Sequence, residues 1–182
     1  MGYNRLSFDL EWFDFTCTFC GGDELLIEVR AIRPGEGHII LASAKELGKT
    51  HYWGPTMTAT ADDYERALFC EAPIIGALVA FIDGEPAGSA LWHRSFSTAI
   101  GQEVMYLEDL VVLPEFRRMG IADALMKLVA KTAVTNGYKK VFWLMMAWNE
   151  GARSLYAKLG ADIEDGNCYC SLEKQALLDL AS

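Results

Sequence analysis

Residues 106–120, YLEDLVVLPEFRRMG, constrain this chain more than any other stretch. Leu107, Leu110, Val111, Val112 and Leu113 form an apolar run interrupted by two carboxylates, Glu108 and Asp109, and stopped by Pro114. Arg117, Arg118 and Gly120 then lead into IADALMKLVAKTAV. An extended apolar run, a breaker and a helical period read as strand, turn and helix. In the last segment Ile121, Ala122, Leu125, Leu128, Val129 and Ala133 fall at helical spacing, and Asp123, Lys127 and Lys131 stand four apart on another side. A helix starting near Arg118 leaves its first N–H groups unpaired at the positive end of its dipole, pointing back into the turn. Such a turn suits a pyrophosphate, with Gly120 and Ala122 keeping the backbone bare and Arg117 adding a fixed fork of donors.

A second patterned segment, AWNEGARSLYAKLGA at residues 147–161, follows some thirty residues later. Asn149 reads as a helix cap; Ala152, Leu155, Tyr156 and Leu159 share one face, and Gly160 ends the helix. Taken alone, a helical tyrosine such as Tyr156 is a core aromatic whose hydroxyl finds a polar partner.

Together these two segments resemble the paired signatures of the GNAT N-acetyltransferases. Arg117, Gly120 and Ala122 match the family's Arg-x-x-Gly-x-Ala loop, and the Asn149 helix with its tyrosine matches the second signature. A lone short glycine motif is weak; two in the family's order, each in the expected strand or helix context, are specific. The resemblance implies an α/β fold: a mixed central sheet of about six or seven strands with helices on both faces, occupying residues 27–182 behind an N-terminal extension of residues 1–26. It implies acetyl-coenzyme A as the acyl donor. The main chain of Leu110, Val111 and Val112, in a strand that carries a bulge in the family, would meet the pantetheine arm. The turn of Arg117, Arg118, Met119, Gly120, Ile121, Ala122 and Asp123 would cradle the pyrophosphate, and Asn149, Arg153 and Lys158 would add contacts.

Transfer from a thioester to an amine needs a deprotonated amine, a polarised carbonyl and an acid for the thiolate. By position Tyr156 matches the family tyrosine beside the sulfur, and a phenol of pKa about 10 can protonate a thiolate of similar basicity. Glu108 and Asp109, adjacent in a strand, should point to opposite faces rather than form a dyad. Either one inside an apolar run needs work to do or a partner. Tyr106 to Asp109 reproduces the Tyr-Leu-Glu-Asp motif of the diamine (spermidine/spermine) and thialysine acetyltransferase branch, and Ala147-Trp148-Asn149-Glu150 also resembles that branch. That branch implies that Glu108 binds the substrate ammonium and helps remove its proton, with Asp109, Phe142, Trp143 and Leu144 lining the acceptor side. The competing account of Glu108 is a salt bridge to Arg94 or Arg117. Where the branch carries a tyrosine and glutamate pair for the far amine, this chain has Thr50 and His51, and Arg118 stands where the loop usually has glycine. A diamine, a polyamine or a lysine-like amine therefore remains open as acceptor. The alternatives are a protein or peptide amino group or, in another class, a non-catalytic acyl-coenzyme A sensor. His51 and His93, near the expected cleft, could tune pKa values there. The branch also implies a homodimer.

Composition supports one globular unit: 182 residues with 52% hydrophobic content suffice for a core. A formal net charge of −9 argues against nucleic acid and mildly favours cationic substrates. Acidic residues at 9, 11 and 14 do not fit a signal peptide, and no apolar run reaches the ~20 residues a bilayer span needs, so a cytoplasmic, membrane-free protein is expected. Five cysteines, Cys17, Cys20, Cys70, Cys168 and Cys170, read as reduced thiols; Cys17 and Cys20 lack a second knuckle for zinc, and no metal is expected. Phe8, Leu10, Trp12, Phe13 and Phe15 are too apolar for a solvated tail and could add an edge strand or cover another subunit. From residue 25 the pattern alternates: strands over 26–32, 74–83, 87–93, 103–113, 140–147 and 167–172, helices over 37–47 and 61–69, an irregular aromatic stretch over 50–60, and a short C-terminal helix. Asp83-Gly84 marks a hairpin.

Overall fold

The computed structural model describes residues 15–19 and 25–164, the first five and Leu25 as backbone alone. Strands β1 (Phe15–Phe19), β2 (Leu25–Ala31), β3 (Ile75–Ile82), β4 (Glu85–Ser97), β5 (Gln102–Val112) and β6 (Val141–Phe142) form one sheet in that order. Pairing is antiparallel as far as β5, and β6 runs parallel to β5. Helices are α1 (Gly37–Gly48), α2 (Ala61–Phe69), α3 (Ile121–Thr135) and α4 (Glu150–Lys158). The chain divides between Leu144 and Met145 into two compact units, and of the described elements only α4 belongs to the second.

Alternation along β3 builds two cores. Ala77, Val79 and Phe81 pack with Leu91, with Ile39 and Ile40 of α1, and with Leu68 of α2. The opposite side of the sheet is covered by α3: a Cβ on Gly88, which pairs with Ala80, would lie 3.4 Å from the Ile121 side chain. Leu125 and Val129 of α3 are fully buried, and truncating a leucine in such a place costs about 2–5 kcal/mol. The two helices α1 and α2 are fixed by polar ties. Arg30 stacks on Phe81 and holds Glu36 by two hydrogen bonds of 2.7 and 2.8 Å, while Glu65 of α2 accepts from the N–H groups of Gly35 and Gly37 at the start of α1. A capping box between Thr60 and Asp63 opens α2.

Several expectations need correction. Five strands have ordinary length, but the strand expected over 140–147 shrinks to Val141–Phe142, because residues 143–146 find no ladder partner among the described residues. The six or seven full strands are therefore not present among the described residues, and the strand expected over 167–172, with the helix after it, lies outside them. An edge strand does form from the aromatic N-terminal region, at Phe15–Phe19 against β2; Phe8, Leu10, Trp12 and Phe13 lie outside the described residues. The helix expected to start near Arg118 starts at Ile121, because Arg118 and Gly120 both take positive φ, at 67° and 86°, which no helix accepts. The hairpin at Asp83-Gly84 forms with φ of 50° and 83°. No helix of the described residues is long and apolar enough to cross a membrane.

Candidate active site

β5 carries the site, and a bulge shapes it. Opposite β4, Tyr106 pairs with His93, Leu107 with Trp92 and Asp109 with Leu91, so Glu108 is an extra residue between two ladder pairs. This overturns the expectation that Glu108 and Asp109 face opposite ways. Strict alternation would put Asp109 on the side of Leu107; with one residue inserted, Asp109 stands beside Leu91, in the core covered by α1 and α2. Burial, and then the negative charge of Glu108, push the Asp109 carboxyl up to about 6, with the His51 charge opposing. Tyr64 of α2 feels the same pair: its phenol is pushed up by burial, then by Asp109, Asp63 and Glu108.

Glu108 is the outer member, half exposed, with Oε2 3.6 Å from His93 Nε2. His93 Nδ1 lies 2.9 Å from the Arg94 carbonyl, which fixes Nδ1 as the donor and leaves Nε2 for Glu108. The His93 ring stands 4.9 Å from that of Tyr106, which meets Phe142 edge-on at 5.0 Å. Trp143 is half-buried and Leu144 is 60% exposed. Of the two salt-bridge partners expected for Glu108, Arg117 is otherwise engaged, its guanidinium 3.8 Å from Glu46 and its Nε donating to the Val112 carbonyl.

Only Met105 and Tyr106 of β5 pair with β6, at Val141 and Phe142. From Leu107 to Val112 no strand of the described residues lies on the β6 side of β5, and this length includes Leu110, Val111 and Val112. An extended chain bearing amides can add itself to such an edge. Beyond it a 3-10 turn at Pro114–Phe116 leads to Arg117, Arg118, Met119 and Gly120. The hydrogen bonding of α3 begins with Ala124 N–H to the Gly120 carbonyl at 3.0 Å, so the N–H groups of Ile121 and Ala122 have no helical acceptor. Positive φ at Gly120 and at Arg118 makes a tight turn immediately before these donors. The residues present thus fit a pyrophosphate at one end and an extended amide arm along the strand.

Residues 27–161 match the model of the acetyltransferase (GNAT) family. The chain belongs to the GNAT acetyltransferase family. It is an acetyl-coenzyme A-dependent N-acetyltransferase. A thialysine N-epsilon-acetyltransferase of Caenorhabditis elegans is 31% identical over 71% of this chain and 79% of its own. The Bos taurus protein of the same description is 30% identical over 85% and 97%. Among solved structures, an aminoglycoside N-acetyltransferase in complex with CoA superposes with a TM-score of 0.64 at 20% identity, over 86% of this chain and 99% of that one, a likeness of fold.

The remaining expected site residues of this acetyltransferase lie on α4, in the second unit. Asn149 caps the helix, accepting from Ala152 N–H at 3.0 Å, and Gly160, with φ of 80°, closes it. Tyr156 is 8% exposed, and burial raises its phenol pKa. Arg153 is half-buried and Lys158 exposed. Asp123 sits in the first turn of α3, where its charge suits the dipole. Tyr64 was missed by the sequence reading: nothing in ADDYERALF marks it, and only the packing of α2 against α1 and β3 brings its phenol within reach of the acid pair's charge. Cys70 is a free, exposed thiol. Cys20, Cys168, Cys170 and the Cys17 side chain lie outside the described residues, and among those described no group of His, Cys, Asp and Glu could hold a metal ion.

Proposed function

We propose that this acetyltransferase moves an acetyl group from acetyl-coenzyme A to a primary amine of a small molecule by direct transfer. The observation that carries the reading is the Glu108 bulge, which sets two carboxylates together beside an open strand edge running into an anion-binding turn. The turn from Arg117 to Asp123 holds the pyrophosphate, and the main chain of Leu110, Val111 and Val112 pairs with the extended arm, an N–H there polarising the thioester carbonyl. Glu108 and Asp109 receive the acceptor ammonium. A carboxyl with a pKa of about 6 is ionised at neutral pH yet a stronger base than an ordinary aspartate, which suits Asp109 to share in removing the proton. The amine nitrogen then attacks the carbonyl carbon; the C–N bond forms, the C–S bond breaks and the thiolate leaves. Its proton is assigned to Tyr156, whose buried phenol stays protonated well above neutral pH. Phe142, Trp143 and Leu144 border the acceptor. The thialysine acetyltransferase relatives support an acceptor amine on a short flexible chain. The protein works as a homodimer in the cytoplasm.

Thiol release from acetyl-coenzyme A in the presence of single diamines, polyamines, lysine analogues and peptides tests this. Turnover with at least one small amine is expected; turnover with peptides alone would reassign the acceptor class. Tyr156→Phe should lower kcat with little change in coenzyme binding, and an unchanged kcat would remove its acid role.

A further inference from the structure

The transfer step leaves the contact between Glu108 and His93 of β4 unused, although Nε2 of the histidine stands 3.6 Å from Glu108 Oε2. The ring is held by its surroundings. Its Nδ1 lies 2.9 Å from the Arg94 carbonyl, and a carbonyl only accepts, so Nδ1 carries the hydrogen. Tyr106, its partner in the ladder with β5, lies against it with ring centroids 4.9 Å apart, and Phe142 of β6 backs Tyr106 edge-on. On β3 the residue opposite is Ile75, packed on the core beneath α1 and α2. A neutral ring fixed in this way turns the Nε2 lone pair towards a carboxylate oxygen, and two acceptors so close need a donor between them.

An ammonium meets that need. A nitrogen about 2.9 Å from each atom closes a triangle on the 3.6 Å base, so one acceptor nitrogen can donate to Glu108 and to His93 at once. Its charge also satisfies the carboxylate and disfavours a second proton on the ring, so the ring meets it neutral. As a class, imidazole is roughly a hundredfold stronger base than a carboxylate. The ring also has a way out to water, since 38% of the His93 side chain is exposed.

We propose that His93 is a catalytic residue of the transfer, its Nε2 taking the proton of the acceptor ammonium while Glu108 holds the positive charge. This rests on the reading that Glu108 receives the acceptor amine. The N–H bond breaks, and the nitrogen keeps the electron pair with which it attacks the thioester carbonyl. The imidazolium formed stays paired with Glu108 until water takes its proton. The second proton, lost from the same nitrogen after the C–N bond forms, balances the one the thiolate gains, so the net proton of each turnover leaves through His93.

Glu108 and Tyr106 of β5 face the ring, β3 opposes it with Ile75, and Glu108 acts in turn on Asp109 and on Tyr64 of α2. Asp109 titrates at about 6, so a pH profile alone does not separate two bases of one site, whereas chemical rescue does. Thiol release is measured with whichever amine, small molecule or peptide, the wild type turns over fastest. His93→Ala should lower kcat by roughly 10²-fold or more with KM for acetyl-coenzyme A unchanged. Added imidazole should restore the rate, and substituted imidazoles should do so more strongly as they become more basic. Pyrazole, of the same shape but a far weaker base, should not. His93→Phe keeps a ring against Tyr106 and should be as slow as His93→Ala. Full kcat in His93→Phe, no rescue by imidazole, or equal rescue by pyrazole overturns the proposal. Turnover of peptides alone would overturn the small-amine reading, and the same rescue would still decide the role of His93.

Discussion

The two edges of β5 are treated in opposite ways. Towards β4 the strand is paired along its whole length, from Gln102 with Ser97 to Val112 with Gly88, through a single bulge. Towards β6 it is paired at two residues, and among the described residues no other strand lies along that edge. The closed edge builds stability: Trp92, Val104, Met105 and Leu107 are all at most 2% exposed. The open edge gives up ladder hydrogen bonds and gains a surface where an extended ligand can be received. The bulge joins the two, since an extra residue in a well-supported strand turns a pair of carboxylates to one side without breaking the sheet.

Disabling the open edge should have the largest effect. Arg117→Ala with Gly120→Glu removes a guanidinium and sets a carboxylate at a left-handed position, so coenzyme A affinity measured by calorimetry should fall by roughly a hundredfold or more; unchanged affinity would mean that the turn is not the anion site. Glu108→Gln keeps the bulge and removes a charge. A kcat loss of roughly 10²–10⁴, the usual scale of acid–base catalysis, is expected with coenzyme binding intact, and a smaller loss would shift the base to Asp109.

The closed edge is probed by Gly88→Val. The new Cβ would meet the Val111 carbonyl at 2.5 Å, and a stability loss of about 1–3 kcal/mol by denaturant titration is expected. No loss would mean that β4 and β5 can part at little expense.

Asp109→Asn tests the bulge itself through pH. The native carboxyl titrates near 6 and the unfolded one near 3.9, so the folded state holds the proton more tightly. Wild-type stability from this group falls as pH rises from about 4 to 6 and then stays level. The melting temperature of the variant should therefore exceed that of the wild type increasingly over that window, with little difference below pH 4. A constant offset would indicate that the Asp109 carboxyl titrates alike in the folded and unfolded chains. Smallest is Arg118→Gly: relief of a left-handed arginine, partly offset by a freer unfolded chain, should add about 0.5–1 kcal/mol to stability.

Much of the scaffold was legible because local chemistry wrote it. The hairpin at Asp83-Gly84, the Asn149 cap, the Gly160 stop and the acidic first turn at Asp62 and Asp63 each depend on a few neighbours, and each formed as read. The start of α3 was misplaced by three residues because a backbone turn at Arg118 has no side-chain signature. The strand at 140–147 was overextended because an apolar run records a preference for burial, not whether a partner strand lies alongside.

The sequence by itself determined the order of strands and helices, the anion-suited turn after β5, and the membership in the acetyltransferase family that the signatures at Arg117–Ala122 and Asn149–Gly160 carry. Tertiary structure alone decided that Glu108 and Asp109 lie on one side of the sheet and that Tyr64 and His51 come within reach of the Asp109 charge. The reason is register. Alternation along a strand can be counted from residue types, but an inserted residue that reverses it exists only in the pairing with β4, and charges from distant segments meet only where the sheet and its helices bring them together.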